Sequence, residues 1–211
     1  MIPDFKTYIE ESVWSDIQKR SMGKQVRKED DLYNFTEDFK KIEKMELIHP
    51  KGKIDGVIDV FNKSDYLWTP CNFGAENHKK PGRYFTWDEI IALNDFLKKT
   101  DYEIACQEAF RSLTFKPYEY KKVGGFWTYI FGSDENKVYI PAFGIMSGPP
   151  LDIRINHKKD DVIVYGCIHK GDAGILGLDL IYGQKLFISE NGMSHHTTQG
   201  FQIRLVKKLK K

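Results

Sequence analysis

The sequence lacks the features that mark disulfide-stabilised, zinc-binding and membrane-spanning proteins. It has three cysteines in 211 residues, Cys71, Cys106 and Cys167, and no Cys-x-x-Cys spacing. An odd number without that spacing argues against a zinc site and against a disulfide-dense secreted scaffold. We expect buried free thiols, with a single Cys71–Cys106 bridge as the open alternative. No segment reaches the roughly 18 apolar residues that a membrane helix needs, so we expect no membrane partner.

An export signal and a strong net charge are also missing. Residues 1–14, MIPDFKTYIEESVW, contain no basic region, no long apolar run and no small-residue cleavage site. A secretory signal needs these features, so we expect a protein that is made and left in the cytoplasm or is carried elsewhere by an assembly. The net charge of +2 gives no reason to expect a nucleic-acid partner. The basic tail at residues 207–211 is expected to be a solvated terminus, with a phosphate-binding arm as the alternative.

Motifs for catalysis and metal binding are scarce. None of the six histidines falls in an HExxH spacing, and the neighbours His195 and His196 would point to opposite faces of a strand. GDAGILG, at residues 171–177, lacks the Gly-Lys-Ser/Thr of a phosphate loop, and we predict a turn between strands there. No nucleophile elbow and no activated cysteine motif occurs. We therefore predict no catalytic residue, no metal and no cofactor.

The apolar spacing predicts three helices. A helix over residues 36–46 would have Phe35, Phe39 and Ile42 on its apolar side. Thr86 and Glu89 form a capping box that begins a helix over 86–99, with apolar residues at helical spacing. A second such box, Thr100 with Glu103, predicts a helix running to about residue 113. Residues 50–52, Pro-Lys-Gly, are read as a boundary between a first segment, 1–50, and a domain, 51–211.

The remaining pattern is that of strands separated by turns. The high aromatic content of 14% favours a fold rich in strands. Turn signals occur at GSDEN (132–136) and SENG (189–192). Strands are predicted at residues 54–61, 125–131, 137–146, 161–168, 176–182, 185–189 and 201–206. Two helices followed by a run of antiparallel strands predict an α+β domain.

Four motifs along residues 66–208 resemble the Fibrobacter succinogenes major paralogous domain of Bacteroidetes surface proteins. They are LWTPCNFGA (67–75), PGRYFTWDE (81–89), NKVYIPAFGIMSG (136–148) and GFQIRLVKK (200–208). The resemblance implies a C-type lectin-like fold with two helices and a mostly antiparallel sheet. Residues 164–175 depart from the family, and the motifs with which C-type lectins bind sugar through calcium are missing. The resemblance therefore implies a fold and no calcium-dependent sugar site.

This resemblance also assigns a structural role to aromatic and glycine residues. Gly74 and Gly82 are expected to permit turns. Five aromatic side chains in the first two motifs are expected to lie in the core: Trp68, Phe73, Tyr84, Phe85 and Trp87.

Residues 12–31, SVWSDIQKRSMGKQVRKEDD, combine a short apolar stripe with a charge run. The stretch resembles a leader that recurs on virion and prophage proteins of Bacteroides, including crAss-like phages. The resemblance implies a helical docking segment ahead of the domain. The apolar anchors would be Val13, Trp14 and Ile17, and the charged rim Arg20, Arg27 and Lys28. A helix over residues 5–20 that packs on the protein's own domain is the alternative.

These features together predict a virion structural protein, such as a capsid decoration or head-fibre-like component made in the host bacterial cytoplasm. Its expected partners are capsid or other virion proteins, further copies of itself, and a host-surface glycan or protein. Four aromatics are candidates for stacking on sugar rings, with a core position as the alternative for each: Tyr118, Tyr120, Trp127 and Tyr129. A Bacteroidetes surface adhesin is the second hypothesis. An enzyme of the formylglycine-generating type is disfavoured because no matching cysteine context is present.

Overall fold

The computed structural model describes residues 35–52, 66–147, 152–154, 163–181, 185–192 and 199–209. The docking segment at residues 12–31 and the strand predicted over 54–61 lie outside these ranges. The chain divides between Asn34 and Phe35 into two units, and the second, Phe35–Lys211, contains all of the described residues. Residues 35–50 therefore share a unit with the domain, whereas the sequence pattern placed the boundary at residue 50.

The described residues contain three helices: α1 (Phe35–Glu43), α2 (Trp87–Leu97) and α3 (Gln107–Leu113). The predicted apolar side of α1 is confirmed, because Phe35, Phe39 and Ile42 are buried. At the start of α2, the Thr86 backbone N–H donates to Glu89 Oε2 at 3.0 Å, as the capping box predicts. None of these three helices is long and apolar enough to cross a membrane.

The helix predicted to begin at Thr100 is wrong over its first half. The Thr100 hydroxyl donates to the carbonyl of Leu97 at 2.9 Å, so it marks the end of α2. Glu103–Ile104 instead forms a short strand, β2. The next residue, Ala105, donates its N–H to the carbonyl of Arg204 at 2.8 Å. Backbone pairing with the C-terminal strand therefore replaces the first helical turn, and α3 begins only at Gln107.

The described strands form three three-stranded sheets and one two-stranded sheet, and every pairing is antiparallel. Besides β2, the described strands are β1 (Tyr66–Trp68), β3 (Tyr118–Val123), β4 (Phe126–Phe131), β5 (Val138–Pro141), β6 (Ile145–Ser147), β7 (Asp152–Arg154), β8 (Ile163–His169), β9 (Asp172–Ile181), β10 (Lys185–Gly192) and β11 (Leu205–Lys208). The sheet orders are β1-β11-β2, β10-β9-β8, β3-β4-β5 and β6-β7. The α+β prediction is confirmed at the level of helices combined with antiparallel sheets.

Several strand limits differ from the sequence pattern. The strand predicted over 137–146 is divided into β5 and β6, and Gly144 between them has φ 77°. The turn predicted over 171–177 is limited to Lys170 and Gly171, after which β9 begins at Asp172. SENG is no turn, because residues 189–192 belong to β10 and pair with residues 174–177 of β9. Long cross-strand pairing thus overrides local turn composition. The sequence pattern predicts no strand at the positions of β1, β2, β3 and β7.

The core confirms four of the five aromatics assigned to it. Trp68, Phe73, Tyr84 and Phe85 are buried, whereas Trp87 is half-buried. The Trp68 ring packs edge-on against Phe110 with centroids 5.2 Å apart. Edge-to-face contacts of this kind stabilise a core beyond the area that they bury.

Two glycines in the motif segments serve different purposes. Gly74 has φ 78°, a left-handed conformation that permits the expected turn. Gly82 needs space instead, because a Cβ there would lie 2.2 Å from the carbonyl oxygen of Phe73. The two motif segments 67–75 and 81–89 therefore pack backbone to backbone.

Candidate functional site

The hairpin of β3 and β4 brings the four aromatic candidates onto one surface. Its two-residue loop is Gly124–Gly125, with φ 60° and 93°, as a type I′ turn requires. The register runs from Val123 opposite Phe126 to Tyr118 opposite Phe131. Alternate residues of a strand point to the same side of a sheet. One side, hereafter the hairpin face, therefore carries Tyr118, Tyr120, Lys122, Trp127, Tyr129 and Phe131.

Cross-strand stacking holds the aromatic rings of the hairpin face in place. Tyr120 stacks on Tyr129 with centroids 4.4 Å apart and on Trp127 with centroids 5.1 Å apart. Tyr118 meets Tyr129 at 6.1 Å in an edge arrangement. Aromatic pairs across an antiparallel ladder stabilise both the hairpin and its register. The rings therefore form a fixed row.

Exposure changes along this row. Tyr129 is only 2% exposed and belongs to the core together with Phe131. Tyr129 therefore takes the core position that was its alternative to stacking on sugar, and it supports the row from the core side. Tyr118, Tyr120 and Trp127 are half-buried and pack against the margin of the core. Each of these three keeps part of its surface accessible to solvent, and Trp127 is nearest the hairpin loop.

A lysine that the sequence reasoning missed completes the hairpin face. Lys122 lies directly opposite Trp127 in the register, and its Nζ is 5.6 Å from the Trp127 ring centroid. Within the described residues Lys122 has no carboxylate partner. Its neighbour Lys121 points to the other side of β3 and pairs with Glu119. That hydrogen bond lowers the pKa of Glu119 and raises the pKa of Lys121. The alternation YEYKKV could have identified β3 and this arrangement.

A buried polar cluster surrounds Arg204, which is 1% exposed. Its Nη1 donates to Asn72 Oδ1 at 3.2 Å, and its Nη2 donates to the carbonyl of Tyr139 at 3.0 Å. The Tyr165 hydroxyl donates to the same Asn72 oxygen at 3.2 Å. Burial lowers the pKa of Arg204 and raises that of Tyr165 to about 12. No carboxylate among the described residues pairs with Arg204, and its Nε has no hydrogen-bond partner there.

Gln202 extends this cluster to a further segment. Its Oε1 accepts from Asn72 Nδ2 at 3.0 Å and from the backbone N–H of Gly82 at 2.8 Å. Its Nε2 donates to the carbonyl of Gly82 at 3.2 Å. All four motif segments of the family resemblance therefore meet in the cluster, through Asn72, Gly82, Tyr139 and the pair Gln202 and Arg204. The cluster is closed to solvent, so its hydrogen bonds hold these segments together and do not form a binding site.

The three cysteines are free thiols, as expected. Cys71 and Cys167 are buried and Cys106 is half-buried. Burial raises the pKa of the Cys71 and Cys106 thiols, so each is held protonated at neutral pH. The described part of the chain contains no group of three or more His, Cys, Asp or Glu placed to hold a metal ion.

The predicted docking residues lie outside the described ranges, so their role stays a prediction: Val13, Trp14, Ile17, Arg20, Arg27 and Lys28. Comparison with known protein families, with curated proteins and with solved structures finds no match for this chain. Both family resemblances therefore also stay predictions.

Proposed function

We propose that this protein is a non-enzymatic virion component, a capsid decoration or head-fibre-like protein that docks through its N-terminal segment. The observation that carries the proposal is the division of the chain between Asn34 and Phe35. A docked display protein needs one unit for attachment and another for presentation. The second unit, Phe35–Lys211, is a domain with a core of its own.

The buried cluster supports a C-type lectin-like identity for the displayed domain. The four motifs that carry the resemblance are separated by up to about 130 residues in sequence, yet each contributes to the hydrogen bonds around Asn72 and Arg204. A set of motifs that depends on one shared contact is more specific than any of its members alone. The proposal therefore keeps the lectin-like fold for this domain.

Attachment would use the apolar stripe of residues 12–31. Buried aromatic and aliphatic anchors supply most of the binding energy at protein interfaces, which assigns Val13, Trp14 and Ile17 to the centre. Arg20, Arg27 and Lys28 would pair with acidic groups at the rim, where charges set partner choice and association rate. A segment that orders on binding loses conformational entropy, so stable attachment favours several copies acting together as a homo-oligomer.

A surface adhesin or other glycan- or protein-binding module is the second candidate. The observation that favours it is the group of half-buried aromatics on the hairpin face, Tyr118, Tyr120 and Trp127, beside Lys122. The two candidates differ in what the N-terminal segment does. Only a virion component requires residues 1–34 for incorporation into particles.

The test compares incorporation of tagged variants into particles during infection. Deletion of residues 1–31 should leave the domain folded by circular dichroism and abolish incorporation. Trp14→Ala should reduce incorporation strongly, whereas Trp127→Ala, a matched tryptophan change on the hairpin face, should leave it unchanged. Normal incorporation of the deleted chain would refute docking through the N-terminus.

A further inference from the structure

We propose that the hairpin face is a binding site for an acidic saccharide, with a sugar ring packed on Trp127 and the sugar's carboxylate or sulfate paired with Lys122. The proposal deepens the display function proposed above, and it rests on that function only for the place where the protein would meet its ligand. Binding itself is a property of the purified chain. Its failure can therefore be told apart from a failure of particle attachment.

The aromatic part of the site is preorganised. Trp127 is half-buried, stacks on Tyr120 and lies on the two-stranded ladder that Tyr129 anchors in the core. A ring fixed in this way loses little conformational freedom when a ligand packs on it. Pyranose rings present an apolar C–H surface that matches the face or edge of an indole. Tyr118 and Tyr120 continue the aromatic surface along the strand direction, which suits a chain of sugars more than a single one.

The charges at the loop end of the row select an anionic ligand. Lys122 is exposed, and its one close electrostatic contact among the described residues is a cation–π contact, with Nζ 5.6 Å from the Trp127 ring centroid. Lys79, also exposed and without a carboxylate partner there, lies beside the loop, since a Cβ on Gly124 would be 3.2 Å from Lys79 Cβ. The nearest acidic side chain of the hairpin, Glu119, is on the opposite side and paired with Lys121. A carboxylate or sulfate near Lys122 would thus meet no competing anion on the hairpin face.

Single-stranded nucleic acid is the other ligand class that combines stacking with negative charge. Such ligands need a positively charged groove that follows the backbone over several nucleotides. Here the two lysines are confined to the loop end, and the net charge of the chain is only +2. The observations therefore favour a saccharide whose charges are spaced between neutral ring surfaces.

The test is calorimetric titration of the full chain with oligosaccharides of hexuronic acid, with neutral hexose oligomers of equal length and with a single-stranded oligonucleotide. Trp127→Ala and Lys122→Gln should each weaken hexuronate binding about tenfold to a hundredfold, as expected for a lost stacking contact or a lost charge-assisted hydrogen bond. Lys121→Gln, the neighbouring lysine on the other side of the strand, should change the affinity by less than about twofold. Added salt should weaken binding of the parent chain more than binding of Lys122→Gln.

The proposal would be overturned by a lack of binding to hexuronate oligomers, by equal binding of the neutral oligomers, or by tighter binding of the oligonucleotide. Equal losses for Lys122→Gln and Lys121→Gln would also overturn it, because the site would then lie elsewhere. Urea unfolding checks that Trp127→Ala is folded. If that variant is not folded, Lys122→Gln against Lys121→Gln decides the question, since both replacements are at exposed positions.

Discussion

Replacement of Asn72 by alanine should reveal how much of the domain's stability depends on the buried Arg204 cluster. The Asn72 side chain accepts hydrogen bonds from Arg204 and Tyr165 and donates one to Gln202. Alanine removes all three and leaves the guanidinium with the Tyr139 carbonyl as its remaining partner among the described residues. The lost hydrogen bond to the charged guanidinium is worth about 1.5–3 kcal/mol and the two lost neutral ones about 1 kcal/mol each, or about 4 kcal/mol in all. We expect the free energy of unfolding to fall by that amount.

A second replacement separates the effect of the buried charge from a simple loss of packing. Arg204→Met removes the buried charge and keeps most of the side-chain volume. In the double variant no charge remains to be left uncompensated, so Asn72→Ala with Arg204→Met should be less destabilised than Asn72→Ala alone. Tyr165→Phe serves as the control, because it removes only neutral hydrogen bonds, worth about 1 kcal/mol.

The assay is equilibrium urea unfolding of the four variants and the parent chain, monitored by circular dichroism and tryptophan fluorescence. The coupling between the two sites is the double-variant loss minus the two single losses. Additive losses, with no coupling between Asn72 and Arg204, would refute the role assigned to the buried charge.

Two further predictions concern the core. Burial raises the pKa of Tyr84 and Tyr165 to about 12 each, so the folded state keeps protons that the unfolded chain loses near pH 10. The free energy of unfolding should therefore be retained below pH 10 and fall between about pH 10 and 12, by about 1.4 kcal/mol per pH unit for each tyrosine. When unfolding is measured as a function of pH, Tyr165→Phe should reduce that slope. At Gly166 a Cβ would lie 2.8 Å from Cδ1 of both Ile90 and Ile203. Gly166→Ala should lower the free energy of unfolding in urea by about 1–3 kcal/mol. The loss should be smaller in an Ile90→Val background, which lacks one of these methyl groups. An equal loss in both backgrounds would show that this contact does not limit the packing.

The sequence is sufficient for those elements whose signals are local. The apolar spacing of Phe35, Phe39 and Ile42 predicts α1, and the capping pair Thr86 and Glu89 predicts the start of α2. The same local reasoning fails at Glu103. The partner strand β11 lies about a hundred residues further along the chain, and its hydrogen bonds decide the backbone conformation there.

The candidate site shows the same division between local and distant signals. Residue type alone makes Tyr118, Tyr120 and Trp127 candidates for stacking on a ligand, but their order on one face depends on the hairpin register. That register follows from the two glycines of the loop, which a closer reading of VGGF could have supplied. The pairing of Asn72 with Arg204, 132 residues apart, has no local signal beyond a polar residue in each of two apolar segments.

The most direct test of virion membership is peptide mass spectrometry of particles purified by density gradient from an infected culture that expresses this chain. We predict that peptides from both units, before and after the Asn34–Phe35 division, are recovered at a constant ratio to the major capsid protein across the particle peak. Recovery of the chain with the host envelope fraction, and not with the particles, would contradict the proposal and favour the adhesin.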